Sequence, residues 1–196
     1  MNKEIKKQIK GYKSSKAKET SNYNWIFKIT FLAFFISLFF SFASESVIPN
    51  VNIIIGIILV ILFIFIGVLF DMIGIAVTAA DEAPFHSMNS RKIKGANVGV
   101  VFKKNADKVS SFCNDVIGDI CGIISGSAGV IIANKLGEIL NIDLFIITLV
   151  ITALIASLTI GGKAIGKTLA INNSNMILYN FSKIVSNFYH PKNSKK

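Results

Sequence analysis

Val51–Phe70 reads VNIIIGIILVILFIFIGVLF, 20 residues without an ionisable side chain. A helix needs about 20 apolar residues to cross roughly 30 Å of hydrocarbon. This run therefore reads as a membrane span and sets the class of the whole chain. Apolar character continues past Asp71 to Ala80, further than one straight, perpendicular span requires. The helix either tilts or breaks near Gly74, and a buried break would turn backbone carbonyls toward an ion.

Three further runs surround it. Trp25–Ala43 is nearly all apolar, with Lys28 close enough to its end to snorkel. A basic stretch precedes it, as in a secretory signal, and the small residues of Ser41–Ser46 would offer a cleavage point. The run outlasts the signal core of about 7–15 residues, so it reads as an uncleaved first membrane helix. Val109–Ala133 and Leu144–Ile160 are the other spans. Glu45–Asn50, with Pro49, reads as an exposed turn, and Asn134–Asp143 as a short polar loop. Asp81–Lys108 is basic, and Pro84, Gly95 and Gly99 argue against one continuous helix there. Its apolar Val98, Val100, Val101 and Phe102 suit either an interfacial helix or a loop packed on the bundle. Thr168–Tyr189 has apolar residues at helical spacing but is too polar to span.

The expected fold is all-α: a polytopic membrane protein of about four transmembrane helices, with a broken or re-entrant element and interfacial helices. Residues 1–24 form a basic cytoplasmic tail, 25–43 the first membrane helix, 51–178 the membrane domain and 179–196 a second basic cytoplasmic tail. The composition agrees, at 52% hydrophobic with 16 Phe against one Trp and a mean hydropathy of +0.59.

The formal charge is +10. A nucleic-acid reading needs a basic face on a soluble module. Here the lysines sit at the two ends and in one central connection, as the positive-inside rule requires. That places both termini and the Lys103 connection in the cytoplasm of a bacterial-type cell with the chain in its inner membrane. Juxtamembrane lysines are also suited to anionic lipid head groups. Cys113 and Cys121 are eight apart, which is no common metal or redox spacing, and they read as small packing residues. No nucleophilic triad, phosphate loop or metalloprotease motif is present, and His86 and His190 are isolated. The chain is expected not to be an enzyme.

The chemistry lies in Phe112–Ile132, FCNDVIGDICGIISGSAGVII, which is long enough to span yet carries Asp115 and Asp119. A charge near the middle of a bilayer costs at least about 2.5–3.5 kcal/mol. Aspartates four apart share a helix face and repel unless a cation separates them or one is protonated. Asn114 and Ser125 add oxygen atoms. Magnesium takes oxygen ligands, keeps several waters and is commonly held by one or two carboxylates; sodium or a proton pathway fits the same set. Asp71 and Glu82, with Asp81 beside it, form a second acidic set around the end of the long apolar run. The alternative is packing alone, through glycines at 118, 122 and 126. Lys163 and Lys167 share a face as well. They either snorkel to the boundary or pair with Asp115, Asp119 or Glu82, and such a pair removes the need for a bound cation.

The order of these motifs resembles the transmembrane domain of the cyclin M / CorB–CorC family of magnesium transport proteins. The likeness runs over roughly Asn52–Leu178. It comprises a small-residue turn ending in glutamate (Gly74–Glu82), the basic connection Ser90–Lys108, the polar helix Asp115–Gly122 and the Gly162–Lys167 segment followed by Thr168, Leu169 and Ala170. In the family's last motif the residue matched by Lys163 is glutamate and that matched by Gly166 is proline; the residue matched by Asp119 is asparagine. The resemblance implies a homodimer with a cavity opening to one side, magnesium as cargo, and Glu82, Asp119 and Lys163 as the positions that matter. On this resemblance the chain is expected to lack the paired regulatory domains that commonly follow in the family, and the Trp25–Ala43 helix would be an addition.

Overall fold

The computed structural model describes residues 23–189, all helix and short connections. Residues 1–22 and 190–196 lie outside the described residues, and with them most of the expected tails and His190.

Helix α1 is Tyr23–Val47, followed by a single 3₁₀ turn, Ile48–Asn50. The turn expected at Glu45 is thus mostly helix, and Pro49 sits in the first turn of the 3₁₀ segment. Helix α2 is Ile53–Ala79. Its start is fixed by Asn52, whose side chain accepts from the Ile54 amide at 3.1 Å. It runs through Gly74 without interruption, so the break entertained there does not occur. Two short helices follow, α3 at Glu82–Ser90 and α4 at Ala96–Lys104.

Ala106–Leu140 is the third long helix, α5. It holds the one departure from α geometry among the long helices: Phe112–Gly118 is wound as π-helix, and Asp119–Leu140 returns to α. It also outruns the expected span, because the polar residues after Ala133 stay helical. Asn141 ends it at φ 52°, with the Ile142 amide donating to the Gly137 carbonyl at 3.3 Å. Asparagine is the usual substitute for glycine at such a left-handed cap. Helix α6 is Leu144–Asn172, started by the Asp143 side chain accepting from the Phe145 amide at 2.8 Å. It passes Gly161, Gly162 and Gly166, where the span was expected to stop. After a break at Asn173, α7 is Ser174–Val185 and crosses the expected 178/179 boundary.

Four helices, α1, α2, α5 and α6, are long and apolar enough to cross a membrane. This is a membrane-embedded helical bundle. In α5, 56% of the most apolar window is buried, against 0% in α1 and 6% in α6, so α5 is the enclosed member. Along α1 and α6, Phe27, Phe42, Phe145 and Ile160 point outward, as lipid-facing side chains do. Ile29, Ala33 and Ile36 of α1 pack on Val116, Ile120 and Ile124 of α5. At one end Ile48, Val60, Ala128 and Ile132 form a core. At the other, Val77, Ala80, Phe85, Val100 and Leu178 join α2 to the short helices.

Candidate ion site

Glycines on three helices build the site. A Cβ on Gly67 of α2 would lie 3.1 Å from Cys121 Cβ and 3.5 Å from the Gly118 carbonyl of α5. A Cβ on Gly162 of α6 would lie 2.8 Å from Val68 of α2, and one on Gly166 3.4 Å from the same valine. The bare backbones let α2 meet α5 and α6 at one level, the close approach that small residues permit in membranes. Asp71 follows Gly67 by one helical turn, Asp119 follows Gly118, and Lys163 follows Gly162. Their charges therefore converge.

Lys163 Nζ lies 3.7 Å from Asp71 Oδ1 and 3.8 Å from Asp119 Oδ1. These are ion-pair separations, longer than the about 2.7–2.9 Å of a charge-assisted hydrogen bond. The ammonium is held by the field of two carboxylates and not by directional bonds. Asp71 is enclosed, with 15% of its side chain accessible, whereas Asp119 is 66% accessible. With two carboxylates and one ammonium, the cluster carries a formal charge of −1.

Its depth follows from helix geometry. Asp71 is 18 residues from Ile53, Asp119 21 from Leu140 and Lys163 19 from Leu144. At a rise of about 1.5 Å per residue the three lie about 27, 32 and 29 Å from those helix ends. For a hydrocarbon layer about 30 Å thick, they share the boundary at the end that carries α3, α4 and α7.

The remaining expected residues disperse. Asp115 is exposed on the π segment and forms no ion pair among the described residues. Lys167 is exposed and also takes no part in one. Glu82 opens α3 and pairs with His86 at 2.9 Å. That hydrogen bond, aided by Lys104 and Lys103, holds the Glu82 carboxyl below its ordinary value. Ser125 is fully buried and its hydroxyl donates to the Gly122 carbonyl at 3.0 Å, so it faces its own helix. Asn114 donates weakly to Ser110 Oγ at 3.4 Å. Its buried Oδ1 has no conventional donor and rests against Gly74, in the space where a Cβ would stand.

The sequence offers Lys163 as a partner for Asp119, and the two do pair at 3.8 Å. It groups Asp115 with Asp119 and Asp71 with Glu82, and so misses Asp71 as the second carboxylate at Lys163. The bundle takes one from each set and places Lys163 between them. Two further lysines have uses that spacing did not announce. Lys103 Nζ donates to the Thr78 carbonyl at 2.8 Å and the Val77 carbonyl at 3.3 Å, capping α2. Lys135 Nζ donates to the Val51 carbonyl at 2.8 Å and the Ile48 carbonyl at 3.1 Å, at the opposite end. The available signal was the last carbonyls of each helix, which always need donors.

No group of three or more His, Cys, Asp or Glu side chains that could hold a metal occurs among the described residues. The place between the two carboxylates belongs to Lys163. The sequence matches no protein-family model and no curated protein.

Proposed function

We propose that this chain carries a cation across the membrane, with Asp71 and Asp119 as direct or water-mediated ligands and Lys163 as a built-in counter-ion. The supporting observation is the charge left over. One lysine answers one aspartate, yet two aspartates from different helices converge on it at 3.7 and 3.8 Å. A purely structural pin needs only a single pair. The surplus negative charge at the hydrocarbon boundary is what a passing cation would neutralise. The looseness of the contacts suits an ammonium that gives way. Magnesium is the first ion to test and sodium the second. In this reading Asp115 and Glu82 line the cytoplasmic approach. The open side of α5, where Gly122 and Gly126 have nothing within 4 Å, is where a second copy of the chain would shield Asp119 from lipid.

A second reading has its own observation. Because Lys163 already stands between the carboxylates, the cluster also suits a non-transporting membrane scaffold or modulator pinned by its ion pairs. Proteoliposomes loaded with a magnesium-sensitive dye separate the two. Transport predicts flux that falls by about tenfold or more in Asp71→Asn and in Asp119→Asn, the equivalent of about 1.4 kcal/mol in binding. Absence of flux from the unaltered chain with magnesium and with sodium rejects transport. The exchange of Asp119→Lys with Lys163→Asp tests the pin. A scaffold regains stability in the double variant that either single change loses.

A further inference from the structure

The boundary that carries the ion site also carries a cationic cluster that the site does not use. Helix α3 ends with the Lys92 amide donating to the Asn89 carbonyl at 3.0 Å and the Ile93 amide to the Met88 carbonyl at 3.1 Å. These paired bonds belong to a helix end whose left-handed residue is ordinarily glycine. Here it is Lys92, at φ 55°. A long side chain in that region is uncommon and carries a conformational cost, so the turn displays a lysine where a glycine would fold more easily.

Gly95 closes the same turn at φ 87°, and a Cβ there would lie 2.8 Å from the Lys183 Cα. The bare glycine lets α7 dock and sets Lys183 beside the turn bearing Arg91, Lys92 and Lys94. All four side chains are exposed. Among the described residues none of them joins an ion pair. No acidic residue occurs from 83 to 106. Beside these cations stand apolar side chains: Ile93 is 38% exposed, Ile184 61% and Phe188 88%. Single exposed apolar residues need no partner. Three of them rimming four unanswered cations at a membrane boundary form the pattern of a surface that meets head group and acyl chain together.

We infer that Arg91, Lys92, Lys94 and Lys183 bind the phosphate of an anionic phospholipid, with Ile93, Ile184 and Phe188 in its glycerol and acyl region. Arginine supplies a planar fork for phosphate oxygens and the lysines supply mobile point charges. Basic clusters next to a span draw anionic lipid in this way. A soluble phosphate would satisfy the cations and leave the apolar rim in water. This inference stands whether or not the chain moves an ion.

The test uses the full chain in nanodiscs. Trp25→Phe with Phe188→Trp leaves a single indole beside the cluster. Brominated phosphatidylglycerol and brominated phosphatidylcholine are compared as quenchers at equal mole fraction. The expected result is several-fold stronger quenching by the anionic lipid, unchanged by millimolar inorganic phosphate. Replacing Arg91→Gln, Lys92→Gly, Lys94→Gln and Lys183→Gln together abolishes the difference and leaves quenching by the zwitterionic lipid. Equal quenching by both lipids before any charge is removed overturns the inference, and so does quenching by neither. Reversal by inorganic phosphate overturns it in favour of a soluble anion. Retention of the preference after the four replacements excludes this cluster as its source.

Discussion

At the scale of single residues, Gly74 and the Asn114 side chain share one space between α2 and α5. A Cβ at position 74 would occupy the place of the Asn114 amide. Gly74→Ala must expel that side chain from between α2 and α5. Overpacking of this kind costs about 1–3 kcal/mol, and thermal unfolding in detergent should show it. Adding Asn114→Ala vacates the space, and the double variant is expected to recover part of the loss; the two changes should be strongly non-additive. Glu82 offers a test by pH. Its carboxyl is held below the ordinary value by His86, so the folded chain favours the ionised form. Any stability this brings is present above the ordinary carboxylate pKa and disappears as pH falls through the lowered one. Both partners are about half exposed, so the effect on stability is small and the titration itself is the better readout. In His86→Ala the Glu82 midpoint, followed by NMR, should move up toward that of a free glutamate.

At the scale of elements, the two informative features are the π segment of α5 and the capped end of α2. A π turn holds more residues than an α turn and recurs at functional sites. Here it directly precedes Asp119, and it places Asn114 against α2. Runs of apolar and small residues do not distinguish π from α winding, which is why the sequence pattern suggested a plain span. The sequence points to an irregularity at Gly74, and it lies instead on the helix that packs against Gly74. At the end of α2, Lys103 reaches across from α4 to two terminal carbonyls. A charged donor on such carbonyls is worth about 1.5–3 kcal/mol when it is lost to leave them unanswered. Lys103→Met is expected to lower the melting temperature and to raise hydrogen exchange at the amides of Ala76–Ala80. Lys104→Met, whose residue makes no such contact and is exposed, should do neither.

At the scale of the whole molecule, four spanning helices return the chain to the side from which it set out. Reporter fusions at the two termini should therefore agree with each other, and the positive-inside rule predicts a cytoplasmic signal from both. Opposite signals from the two fusions would mean that one of the four helices does not cross. Because two spans, α5 and α6, lie between them, α3 and α4 after the second span and α7 after the fourth can gather at one boundary. There they form one core around Phe85 and Leu178. Ion site and basic turn thus share a face of the membrane although nearly 70 residues separate Lys94 from Lys163.

The class of fold, the number of long apolar helices and the candidate charges were all legible in the sequence, because burial in hydrocarbon is decided locally. A run of some 20 apolar residues announces itself without knowledge of its neighbours, and an aspartate inside such a run is conspicuous wherever it occurs. What only the tertiary structure decided was which of the offered partners Lys163 takes, and that Asp71 joins Asp119 there. Asp71 and Asp119 meet at Lys163 because Gly67, Gly118 and Gly162 let three backbones approach at the same depth. That register is set by side-chain volume across interfaces between distant segments. Spacing along one helix carries no record of it.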